Sequence, residues 1–164
     1  MVAMPSSLAG RSPDWTRRSR NETGSGNSFV GWAAGFSSTS GGNNVFFGSR
    51  AGWHNTTGSG NTYVGFEADG AGDITNAAAF GAAAFVTQNN SLVLGGINGV
   101  NGANADTNVG IGTTAPRARL HVAGGKVYVE ANGQGVVLKS PGGTCFELTV
   151  TNAGALAVAS VACP

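Results

Sequence analysis

Asn27-Ser28-Phe29-Val30-Gly31 returns as Asn44-Val45-Phe46-Phe47-Gly48 and again as Asn61-Thr62-Tyr63-Val64-Gly65, a step of 17 residues each time. The flanks keep the same step: Gly24, Gly41 and Gly58 precede the motif, and Gly35 and Gly52 follow it. Self-similarity at a short fixed period marks a solenoid or repeat array, in which each unit buries its apolar face only against its neighbours. Such a stack makes a rod or a binding surface more readily than an active site.

Each repeat opens on a turn: Thr23-Gly24-Ser25-Gly26, Ser40-Gly41-Gly42-Asn43 and Thr57-Gly58-Ser59-Gly60. Glycine and asparagine tolerate the positive φ that these turns need. A strand of about four residues comes next, then a second short apolar piece, Trp32–Phe36 or Ser49–Trp53, so each coil is expected to hold two strands and two turns. Glycine fills 28 of 164 positions and charged residues only 10%, yet eight Phe, three Trp and two Tyr are present. A disordered chain is charged and poor in aromatics, so this balance points to tightly turned β structure. The step then tightens, with Gly81, Gly95 and Gly110 falling 16, 14 and 15 residues after their predecessors. The alanine-rich window 77–85 by itself favours helix. Gly81 and the repeat register overrule it and place Ala79-Phe80-Gly81 on a strand.

Residues 96–106 form a Gly/Asn loop that interrupts the coils. After Pro116 the pattern changes to Leu120-His121-Val122 and then to four expected strands, Lys126–Glu130, Val136–Lys139, Cys145–Val150 and Leu156–Val161, separated by hairpin-type turns. The expected organisation is a disordered basic tail over 1–22, a β-roll over 23–115, a neck or linker over 116–124, and a small antiparallel β cap over 125–164. A hairpin closed by Asn152-Ala153-Gly154 sets Cys145 opposite Val161; a register shifted by two sets it opposite Cys163. In both, Cys145 and Cys163 share a face, because strand side chains alternate with period two. They are the candidate disulfide, a pairing suited to an exported protein.

The charge pattern excludes several functions. Arg11, Arg17, Arg18 and Arg20 crowd the N-terminus, whereas Arg50 is the one basic residue from Thr23 to Ala115, so the repeats lack the basic stripe of a nucleic-acid binder. No stretch reaches the 18 or so apolar residues of a membrane span, and the first twenty residues lack the apolar core of a secretory signal. His54 and His121 stand alone in sequence, without metal-ligand spacing, and no nucleophile–base pairing stands out. Asp69 and Asp73 with turn carbonyls are a minor calcium option. Neither catalysis, a metal nor a cofactor is expected.

A coil of 14 to 17 residues encloses little volume, and stacking aligns like residues in ladders: Asn27/Asn44/Asn61 and Phe29/Phe46/Tyr63. Phe29-Val30 and Phe46-Phe47 put large apolar groups on both faces of one strand. One face fills the coil. The other needs covering, and three copies around a three-fold axis would cover it.

Thr57–Gly65 and Asn90–Gly95 resemble the head repeats of trimeric autotransporter adhesins. Asn108–Pro116 followed by Leu120-His121-Val122 is similar to a segment of bacterial surface fibres and phage tail fibres. The resemblance covers about residues 23–122. It implies an all-β chain whose repeats form a left-handed parallel β-roll of three intertwined copies, joined by a neck to the C-terminal residues. It also implies a non-enzymatic structural and adhesive role at the cell surface, outside the cell or on a virion, with glycan or protein receptors as partners. A phage tail-fibre fragment is the alternative, and a monomeric binding solenoid a remoter one. Tail-fibre relatives often carry a self-cleaving Ser–Lys domain, which the 42 residues after Val122 do not support. Trp32, Trp53 and Phe66, just past the strands, are candidate ligand platforms, with packing between coils or chains as the plainer role.

Overall fold

The computed structural model describes Asn21 and residues 23–164; the expected tail over 1–22 lies outside them except for Asn21. The described chain is all-β, with no helix. Its repeat region holds β1 (Ser28–Val30), β2 (Val45–Phe47), β3 (Thr62–Val64), β4 (Asp69–Gly70), β5 (Ala78–Phe80), β6 (Phe85–Val86) and β7 (Leu92–Leu94). β1, β2, β3, β5 and β7 pair in parallel in that order, and β4 pairs in parallel with β6. The result is a parallel β-solenoid of about four turns.

The register follows from the repeat. Phe29, Phe46, Tyr63, Ala79 and Val93 lie opposite one another at the middle of successive strands. With side chains alternating across the strand, this column faces inward, and Phe46, Tyr63 and Ala79 are fully buried. Ring centroids lie 4.7 Å apart for Phe29–Phe46 and 4.9 Å for Phe46–Tyr63, with interplanar angles of 3° and 2°. These separations match the spacing of hydrogen-bonded strands, so in-register pairing sets the stack. Each pair adds roughly 0.5–1.5 kcal/mol beyond burial. The column narrows to Ala79 where the step shortens, and Val86 of β6 joins the same core.

A second ladder runs beside it. The amide oxygens of Asn27, Asn44 and Asn61 accept from the backbone N–H of Asn44, Asn61 and Ala77 in turn. Their amide nitrogens donate to the carbonyls of Gly41, Gly58 and Ile74. Each asparagine thus bridges its own coil to the next, and Asn44 and Asn61 do so with no solvent exposure. The turns ahead of them carry positive φ at Gly26 (72°), Asn43 (58°) and Gly60 (68°). Asn21 already bonds the first coil, its amide exchanging hydrogen bonds with the backbone of Gly24.

Three sequence expectations are corrected. The pieces 32–36 and 49–53 are turns, because Ala33, Gly35, Arg50 and Gly52 all hold positive φ, which breaks a pleated strand. A paired second strand exists only where Asp69 and Phe85 replace those later glycines, at β4 and β6. Val109–Ile111 (β8) is not a further rung: the 96–106 loop intervenes, and β8 pairs with Leu120–Val122 (β9). Residues 126–130 form no strand. Their alternation supplies two faces, but no hydrogen-bonding neighbour is present among the described residues, and Tyr128 is 82% exposed.

The chain divides into two compact units after His121. The second holds β10 (Val136–Lys139), β11 (Cys145–Val150) and β12 (Leu156–Val161) in one antiparallel sheet of that order. Cys145 lies opposite Val161, the first of the two expected registers, and Thr151 N–H donates to Ala155 O to close the hairpin. Cys163, two residues beyond Val161 and on the same side, is bonded to Cys145 with the Cα atoms 5.3 Å apart.

Candidate functional site

Counting along each coil from Gly31, Gly48, Gly65 and Gly81 aligns Ala33, Arg50, Glu67 and Ala83, all with φ between 54° and 60°. The next position is Ala34, Ala51, Ala68 and Ala84, all buried. The small residues let consecutive turns nest; at the positive-φ position Ala33 and Ala83 are buried, and only the longer Arg50 and Glu67 side chains reach solvent. In the first and last of these coils that side chain is a methyl. In the middle two it is a guanidinium and a carboxylate, and they pair: Arg50 Nη1 lies 2.5 Å from Glu67 Oε1.

Beside that pair, Asp69 occupies the position that Gly35 and Gly52 hold in earlier coils. It is 1% exposed. Its Oδ2 accepts from the His54 backbone N–H (3.0 Å) and lies 2.7 Å from His54 Nδ1, and its Oδ1 accepts from Gly70 N–H (2.8 Å). Burial raises the Asp69 pKa above its ordinary value, opposed by these hydrogen bonds and by His54. The imidazole itself is exposed, so the pair joins a buried carboxylate to a ring that meets solvent. The nearby Tyr63 hydroxyl is buried with no hydrogen-bond partner among the described residues, and burial, then the Asp69 charge, push its pKa up.

The aromatic platform residues are partly brought together. Trp53 stacks on Phe36 at 4.5 Å, Trp32 lies 6.4 Å from Trp53, and the Arg50 guanidinium sits 5.0 Å over the Trp53 ring. No ring contact joins Phe66 to them among the described residues, and it is 55% exposed. The 96–106 loop returns to this place, where the Asn101 amide donates to Glu67 O at 2.5 Å. Arg50, Trp53, His54, Glu67, Asp69, Asn101 and Gly102 enclose a cleft of about 320 Å³.

The remaining expected residues are structural in their contacts. Gly24, Gly41 and Gly58 sit where an added Cβ would strike the carbonyl of the adjoining coil, and Gly31, Gly48 and Gly65 likewise face the backbone of the next turn. His121 lies in β9, where its Nδ1 accepts from Arg117 N–H at 3.3 Å. Asp73 is exposed, and no group of three or more metal-ligating side chains exists among the described residues. Arg50, Glu67 and Asn101 escaped the sequence reading. The first two carried a usable signal, their separation of one repeat step, whereas Asn101 carried none. Comparison with models of protein families, with curated proteins and with solved structures finds no match to this chain.

Proposed function

We propose that this chain is a non-enzymatic structural and adhesive fibre protein, similar to trimeric autotransporter adhesin heads, whose solenoid assembles as a homotrimer and presents a surface to glycan or protein receptors outside the cell or on a virion. The observation that carries this reading is the outward column of the five-stranded sheet. Val30, Phe47, Val64, Phe80 and Leu94 lie in one register line. Four of the five are 40–58% exposed. At strand spacing the line runs roughly 19 Å, and Val45 and Leu92 widen it at the first strand position. A soluble monomer rarely leaves a contiguous apolar strip of this kind open.

Closed rotational symmetry covers such a strip with identical strips, without generating an open polymer. Light scattering on the full chain tests this directly. The expected mass is three times the 16.3 kDa of one chain, and a monomer at micromolar concentration overturns both the trimer and the fibre built on it.

A further inference from the structure

From Thr23 to Ala115 only six residues are Asp, Glu, Lys, Arg or His: Arg50, His54, Glu67, Asp69, Asp73 and Asp106. Four of the six line the cleft at Trp53. Chance placement along four turns does not gather them so. The two features that break the repeat, a charged pair in an otherwise alanine column and the non-repeating 96–106 loop, also meet there, through the bond from Asn101 to Glu67. Stacking alone does not require either, since the coils at Ala33 and Ala83 close without a charged pair. Holding Arg50 and Glu67 at positive φ costs each residue roughly 1 kcal/mol, as at the flanking alanines, so their place in this column brings no conformational saving.

We propose that this cleft is a binding site for a neutral, hydroxyl-rich ligand of one or two sugar rings. Its size lies at the lower end of small-molecule pockets. Its charges are already engaged: Arg50 is paired with Glu67, and Asp69 is buried with both oxygens held by His54 and Gly70. An anion or a cation therefore meets no exposed and unpaired opposite charge. A polyol meets what it needs. His54 Nε2, the second oxygen of Glu67, the remaining guanidinium N–H groups of Arg50 and the Asn101 carbonyl oxygen are left to exchange hydrogen bonds with hydroxyls. Trp53 adds an apolar wall for C–H groups. The buried Asp69 fixes the His54 ring through Nδ1 and so turns Nε2 outward. The site shares no residue with the apolar strip, so the strip can pack against other copies without consuming any of these groups.

This inference deepens the attachment reading and rests on it only for its biological purpose, because the cleft is complete within one chain. Saturation-transfer NMR on the full chain, with galactose, glucose, mannose and N-acetylglucosamine as probes and glucuronic acid and glucosamine as charged controls, tests it. Saturable transfer from at least one neutral probe is expected. Glu67→Gln and, separately, Asn101→Ala should weaken it about tenfold or more, the loss of one charge-assisted or one buried hydrogen bond, with circular dichroism unchanged. No transfer from any neutral probe overturns the site. So does tighter binding of a charged control than of its neutral parent, or binding that survives both variants. The mass measurement is independent: a monomer that binds sugar refutes the trimer and the fibre built on it but not the cleft, and a trimer that binds none refutes the cleft alone.

Discussion

Replacing Asn44 by alanine isolates what the asparagine ladder contributes. The side chain accepts from Asn61 N–H at 2.9 Å and donates to Gly58 O at 2.8 Å, and it is fully buried. Truncation leaves the Asn61 N–H without a partner inside the coil, whereas Gly58 O keeps a second donor, the buried Asn55 amide at 3.2 Å. A buried group stripped of its partner costs about 1–3 kcal/mol, and the second bond lost to Gly58 O adds about 1 kcal/mol, so about 2–4 kcal/mol is predicted. Asn27 supplies the control. It makes the same two bonds, to Asn44 N–H and Gly41 O, but it is only half-buried at the first rung, where water replaces what the mutation removes. Asn27→Ala should therefore cost about 1 kcal/mol, the net worth of an ordinary hydrogen bond.

Guanidinium unfolding followed by tryptophan fluorescence reads both, since Trp32 and Trp53 lie in the repeats and no Trp lies in the C-terminal unit. Protomer concentration must be fixed, because assembly contributes to apparent stability. Equal costs for the two variants would refute the burial argument, as would an Asn44→Ala cost below about 1 kcal/mol. Asn44→Asp adds a second test. The carboxylate keeps the acceptor and loses the donor, so at pH 7 it faces Gly58 O across a dry contact. Burial raises its folded pKa above the unfolded value of about 3.9. The variant is then least destabilised below that value and loses stability as pH climbs from there towards the folded pKa.

Four further outcomes rest on other contacts. Gly41→Ala drives a Cβ into the Gly58 carbonyl of the adjoining coil, whereas Ala at Gly133 meets open space and strains only its positive φ; melting curves should show a loss of about 1 kcal/mol for the second and several-fold more for the first. Asp69 carries a folded pKa above the ordinary 3.8, so its contribution is most favourable below that pH and declines as pH rises through the folded value; the difference in unfolding free energy between the native chain and Asp69→Asn, measured from pH 3 to 8, should bend in that window and be flat above it. Reducing Cys145–Cys163, which closes a loop with a sequence separation of 18, should destabilise the C-terminal unit by about 3 kcal/mol, seen as faster amide exchange in β10 to β12 with the solenoid unaffected. Phe47→Asp, on the exposed strip, should convert the assembly to monomers in light scattering while leaving the far-ultraviolet dichroism of the coils in place.

The parts of this fold that were legible in the sequence are those enforced by repetition. Asn27, Asn44 and Asn61 could be aligned by counting, because a parallel in-register ladder converts equal spacing into adjacency. The second arc was misread for a reason visible at Ala33 and Arg50: neither residue advertises positive φ, so an apolar stretch passed for a strand when the backbone was turning. At 126–130 the alternation was real, but alternation specifies faces and says nothing of a pairing partner. Asn101 was beyond reach altogether. Its contact with Glu67 spans 34 residues, and Asn101 itself lies in the non-repeating 96–106 loop, where no period places it.

That division between what repeats and what does not bears on where function resides in a solenoid. A position that must nest against its copy in the next turn is held to one answer, as the buried Ala34, Ala51, Ala68 and Ala84 are. The position before it accepts buried alanine at 33 and 83 and also longer side chains whose ends reach solvent. Arg50 and Glu67 occupy that position, one step apart, so the backbone alone brings their side chains to 2.5 Å. Asp69 is the more telling departure. It replaces a turn glycine, is buried with its charge, and costs solvation that a glycine would not have cost. The chain recovers part of that cost by hydrogen bonds from Gly70 and His54, and the outcome is an imidazole held in one orientation at the mouth of a cleft. Stacking alone does not require that arrangement, since two earlier turns close without it. Restoring the repeat with Asp69→Gly should therefore keep the coils while freeing the His54 ring; unchanged His54 nuclear magnetic resonance shifts in that variant would show that the carboxylate does not orient it.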